Sequence, residues 1–135
     1  MKKENKADEW IVFAESDWAI AKQGKASKKI LYETLCFHCQ QATEKSIKGV
    51  CLFNKINFPK THDIDFLLEL LKHKNIEIPK LVQDSRFLTE YAVISRYPGN
   101  ELEIGIKEYK EALKLSEYAL KWAKSIINKP PNKLF

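Results

Sequence analysis

Apolar residues return at three- and four-residue intervals along almost the whole chain, and no segment shows the clean alternation of a half-buried strand. That single period restricts the chain to packed helices. The first helix is predicted from about Ala7 to Gln23, with Trp10, Ile11, Phe13, Ala14, Trp18 and Ala21 on its apolar side and Gly24 as its breaker. The second is predicted from about Ile30 to Phe53. Leu31, Leu35, Cys39, Ala42, Ser46 and Phe53 mark one flank, and Ile47 and Val50 widen it, as expected of a helix packed on several sides. Pro59 separates it from a third helix, which Thr61 is placed to cap, with Asp63 and Asp65 in the first turn. A fourth opens at Pro79 and runs to about Val93.

Asn100 is placed to cap the last helix, with Glu103 reaching back as in a capping box. Ile106, Leu113, Leu120 and Ile127 recur along it every seven residues, and Pro130-Pro131 closes it. From Glu101 to Asn128 it would span roughly 40 Å. The expected fold is all-α, an up-down antiparallel bundle of four to five helices, in one domain over residues 1–135.

The 135 residues carry 23 Lys and Arg against 18 Asp and Glu, a net charge of +5. Only Arg86 and Arg96 are arginine, and the lysines are dispersed among acids, so the excess reads first as a solvated surface. No run approaches the ~18 apolar residues of a membrane helix. The charged start, Met1 to Lys6, leads into no apolar signal block. Three cysteines, Cys36, Cys39 and Cys51, form an odd set that points to reduced thiols and a cytoplasmic location. Cys36 and Cys39 have a redox or zinc spacing but lie inside a helical pattern without a second pair. Burial as small apolar groups is the expectation, with no metal and no cofactor.

Three short motifs bear chemistry. At ~100° per residue, Phe37, Gln41, Glu44, Lys45 and Lys48 share about a third of the second helix's circumference. Glu44 and Lys48 are an i,i+4 pair: either a surface salt bridge or part of a polar strip facing a groove or partner. Lys60-Thr61-His62-Asp63 sets His62 at a helix N-terminus, where an imidazole meets a phosphate or packs against backbone. Arg96-Tyr97-Pro98 precedes the last helix. Arg96 suits a phosphate or a carboxylate such as Glu44 or Glu90; Tyr91 and Tyr97 suit a stacked base or the end of a core.

Together these segments resemble the HEPN family, the higher eukaryote and prokaryote nucleotide-binding domain. The matching pieces run from Phe37-His38-Cys39-Gln40-Gln41-Ala42-Thr43-Glu44-Lys45-Ser46-Ile47-Lys48 through Lys60-Thr61-His62-Asp63-Ile64 to Tyr91 and Arg96-Tyr97-Pro98. The resemblance implies a homodimeric all-α bundle that binds nucleotide or RNA. It also implies a separately encoded minimal nucleotidyltransferase as partner, in a toxin–antitoxin-like module. Lys45, Lys48, His62, Arg96 and Tyr97 are the expected binding residues, supported by Gln41, Glu44, Asp63 and Tyr91. Many HEPN proteins are metal-independent ribonucleases marked by an Arg followed four to six residues later by a His. Here His38, His62 and His73 all precede both arginines, so binding is carried over and catalysis is not. A divergent ribonuclease using Arg96, His62 and Tyr97, and a purely protein-binding bundle, are the competing readings.

Overall fold

The computed structural model describes residues 3–94 and 104–128. Helix α1 (Lys3–Lys22) buries Ala7, Ile11, Ala14 and Ala21 along one line. Their spacing is the amphipathic period, and the three alanines let a neighbouring helix approach closely. Phe13, expected on this side, is instead 59% exposed beside Val12. At ~100° per residue it stands about a third of a turn away from the buried line. Gly24 ends the connection at φ +70°, a left-handed conformation that suits a residue without a Cβ.

Helix α2 (Tyr32–Phe53) is the central element, packed most extensively on α1 and next on the last helix. It stops at a left-handed Lys55, φ +60°, where the Lys55 and Ile56 amides donate to the carbonyls of Leu52 and Cys51. Helix α3 (Ile64–His73) is capped by Asp63, whose carboxylate accepts from the Phe66 amide at 3.3 Å. Thr61 is therefore not the cap; its hydroxyl oxygen accepts from the Asp63 amide and shapes the turn before it.

The segment from Pro79 to Val93 is not one α-helix. Helix α4 (Lys80–Asp84) tightens into a 3₁₀ turn (Ser85–Glu90) before helix α5 (Tyr91–Ile94). Val82, Ser85, Leu88 and Tyr91 are all buried at three-residue intervals. A 3₁₀ helix stacks such positions on one face, whereas an α-helix would rotate them away from the core.

Helix α6 runs from Ile106 to Ile127, shorter than expected. Gly105 caps it, and the Glu108 carboxylate accepts from the Gly105 amide at 2.9 Å. Ile104 and Gly105 precede the helix, so the start expected at Glu101 is corrected; Asn100, Glu103 and Pro130-Pro131 lie outside the described residues. The seven-residue series marks the edge of its buried face: Ile106 is 54% exposed, whereas Ala112, Ser116, Ala119 and Ala123 have no exposure. These small residues let α6 approach closely to α2, its principal neighbour.

Asp17 lies beside His38 and Lys45, while Ala7 and Trp10 lie beside Gly49, so α1 and α2 are antiparallel. The broken leg α3–α5 returns the chain, and Tyr109 then starts α6 beside Tyr32 while Ile127 ends it at Gly49. The result is an all-α bundle in up-down order around one core cluster. Among the described residues there is no strand, and no helix is long and apolar enough to cross a membrane.

Cys36, Cys39 and Cys51 are free, and none is exposed. Burial pushes each thiol up from 9.0 to about 12, so they pack as small apolar groups, as expected. Among the described residues no cluster of three or more His, Cys, Asp or Glu could hold a metal ion.

Candidate functional site

Glu44 lies one helical turn before Lys48 on α2, facing the loop that enters α3. Its side chain is 3% exposed, yet it is fully partnered. Lys48 donates to Oε2 at 2.7 Å; His62 Nδ1 lies 3.0 Å from Oε1; Gln40 donates to the same Oε1 at 2.9 Å. Gln41 donates to Gln40 Oε1 at 2.7 Å and approaches Glu44 Oε1 at 3.5 Å. Gln40 also reaches the His62 carbonyl at 3.4 Å, which ties the loop to the helix at a second point.

The Glu44–Lys48 pair is thus buried rather than a surface salt bridge. The Lys48 side chain is 8% exposed, and its ammonium lies 5.3 Å from the Trp10 ring centroid and 5.5 Å from that of Phe58. Two aromatic faces and a carboxylate replace the water it has lost. Lys48 therefore braces the carboxylate and stands behind it.

His62 is the part of this network that faces outward, with 58% of its side chain exposed. An ionised carboxylate only accepts, so Nδ1 carries the proton in the bond to Glu44. The exposed Nε2 edge then accepts a hydrogen bond when the ring is neutral and donates one when it is protonated. A fixed imidazole edge of this kind costs less ordering entropy on binding than a free side chain does.

A second carboxylate–imidazole pair lies where α1 meets the same helix. Asp17, 8% exposed, accepts from Lys45 at 2.6 Å and lies 2.9 Å from His38 Nδ1. Phe37 meets the His38 ring edge-on at 5.4 Å. Lys45 and His38 each keep about a quarter of their side chains in solvent.

The structure therefore brings Gln41, Glu44, Lys48 and His62 into one network and sets Lys45 on Asp17 along the same helix. Asp63 caps α3 next to His62. Tyr91 is 7% exposed and belongs to the core, where burial pushes its hydroxyl up to about 12. Arg96 and Tyr97 lie outside the described residues. Sequence reasoning missed Gln40, Asp17, His38, Trp10 and Phe58. For Asp17 and Gln40 a signal exists: each is a polar residue on the buried side of its helix, where a partner is obligatory.

The HEPN domain family profile matches residues 7–126, so the chain belongs to the HEPN family. Two solved structures share its fold. One is ST0689, described as an archaeal HEPN homologue, with 29% identity and a TM-score of 0.68 over 90% of this chain and 97% of that one. The other is TT1696 from Thermus thermophilus, with 25% identity and a TM-score of 0.75 over 90% of this chain and 98% of that one. No curated protein sequence matches significantly.

Proposed function

We propose that this HEPN protein binds nucleotide or RNA through the strip on α2 and the His62 loop, as a homodimer that works with a separately encoded minimal nucleotidyltransferase in a toxin–antitoxin-like module. The observation that carries the binding reading is the anchored imidazole: His62 is held by a buried carboxylate and offers its other edge to solvent. His62 contacts a phosphate or base edge, and Lys45 adds charge from α2. Arg96 and Tyr97 belong to the same proposal through the family motif. Lys48 and Glu44 position His62 and do not themselves meet the ligand.

Titration of the purified protein at low salt with nucleoside triphosphates and with short single-stranded RNA tests this reading. Saturable binding that His62→Ala weakens at least tenfold is expected. Absence of saturable binding to either class overturns it. The partner is tested separately, by co-purification with a minimal nucleotidyltransferase encoded beside the chain.

A further inference from the structure

Helix α1 is apolar on two sides. Ala7, Ile11, Ala14 and Ala21 face the core. On the far side every exposed residue from Val12 to Ile20 is uncharged: Val12, Phe13, Ser16, Ala19 and Ile20. At ~100° per residue these five share about a third of the circumference. Val12 is 61% exposed, Phe13 59% and Ile20 38%. The two acids of the stretch turn aside, Asp17 to His38 and Lys45 on α2 and Glu15 to Lys124 on α6. The outer face of α6, by contrast, carries Lys107, Lys110, Glu111, Lys114 and Lys121. A helix that is apolar on opposite sides is one made to be packed on both.

A cavity of about 200 Å³ borders the stripe, lined by Lys6, Glu9, Trp10 and Phe13. These are positions i, i+3, i+4 and i+7 of one helix, and their surface there is mostly apolar. Four side chains so spaced form the hole into which a facing helix sets a side chain. Phe13 belongs to both the hole and the stripe.

We propose that this stripe is a self-association face, on which two copies of the chain pack α1 against α1, antiparallel, about a two-fold axis at Ser16. A two-fold interface has to complement itself, and this one does. Ile20 of the second copy comes level with Val12 and lies beside Phe13, at the border of the hole. Val12 meets Ala19 of the second copy, a large residue against a small one. Ser16 and Ala19 let the two helices approach closely. The charges outside the stripe fix the direction. Antiparallel packing carries the exposed Asp8 toward the exposed Lys22 of the second copy, whereas parallel packing sets acid on acid and ammonium on ammonium.

The inference rests on the homodimer reading and adds the face and the register to it. Five residues of one helix bury less than the roughly 800 Å² that each partner gives to a standard interface. The pair is therefore expected to be reversible and to dissociate on dilution.

Cysteine cross-linking of the full chain tests the register. Cys36, Cys39 and Cys51 are free and buried, so wild type gives a silent background under a mild oxidant. Ser16→Cys sets two thiols face to face at the two-fold axis and is expected to give a covalent dimer. Ser125→Cys, at an exposed position on α6, is expected to stay monomeric on denaturing gels. Sedimentation over a range of concentrations tests the face. Phe13→Lys and Ile20→Lys, both at exposed positions, are each expected to weaken association about tenfold or more while leaving the melting temperature near that of wild type.

A dimer that Phe13→Lys and Ile20→Lys leave unchanged overturns this face and leaves the homodimer reading standing. Failure of Ser16→Cys to cross-link, or equal cross-linking by Ser125→Cys, overturns the antiparallel pairing. A wild-type chain that stays monomeric at every concentration overturns both the face and the homodimer reading.

Discussion

Glu44 and His62, eighteen residues apart in sequence, are joined by a 3.0 Å contact that turns a carboxylate buried in α2 into the anchor of an imidazole on a surface loop. The same carboxylate holds Lys48 through its other oxygen. One buried group thus balances a buried cation and orients an exposed ring. The fold's stability and its proposed binding edge depend on the same atom set.

Glu44→Ala leaves the Lys48 ammonium buried and unpaired. Breaking a buried ion pair in this way costs about 3–5 kcal/mol. The double variant Glu44→Met/Lys48→Met removes both charges and is expected to recover a large part of that loss. Urea denaturation of wild type, Glu44→Met, Lys48→Met and the double variant measures the coupling.

His62→Ala is expected to change stability by less than ~1 kcal/mol, because the ring is largely in solvent and Glu44 keeps Lys48 and Gln40 as partners. Its effect belongs to ligand affinity. Comparable melting temperatures with unequal binding isotherms are the expected result.

Much of this was legible from residue order alone. The helices follow from the three- and four-residue period, and the buried thiols from their place inside it. Two things were not. The core prefers Val82, Ser85, Leu88 and Tyr91 in line, and that tertiary demand overrides α-helical continuity after Asp84. The depth of Glu44 and Lys48 was equally hidden, because an i,i+4 ion pair has the same spacing on a surface and in a core. Only the packing of Trp10 and Phe58 over Lys48 distinguishes them.

Cys39 predicts alkaline lability. Its thiol is raised to about 12 in the folded chain by burial, against 9.0 as its ordinary value. The folded state therefore holds a proton that the unfolded state releases. The stability it contributes is complete below about pH 9. Above that it falls, at up to ~1.4 kcal/mol per pH unit, until the folded value is passed. Denaturation midpoints at pH 8 and pH 10 should diverge less in Cys39→Ala than in wild type.

Glu108 has the opposite sign. Its carboxyl is held below the ordinary range, chiefly by the hydrogen bond from the Gly105 amide. That contribution is present above the ordinary glutamate value and lost as pH falls through the lower, folded one. Amide protection in the first turn of α6, taken relative to the intrinsic exchange rate at each pH, should fall on acidification, and Glu108→Gln should flatten that response.

Gly49 marks where three helices converge. A Cβ there would stand 3.2 Å from Ile127 Cδ1 and 3.4 Å from both the Ala7 carbonyl oxygen and Trp10 Cβ. Gly49→Leu is expected to cost about 1–3 kcal/mol by overpacking. Thermal denaturation checks it.

The ring nitrogens of His62 give the most direct test of the anchored-imidazole account. In long-range ¹H–¹⁵N spectra of the protein titrated with a short RNA or a nucleoside triphosphate, the account predicts that Nε2 shifts with saturation while Nδ1 keeps the signature of its bond to Glu44. Saturable binding that leaves Nε2 unmoved would contradict it.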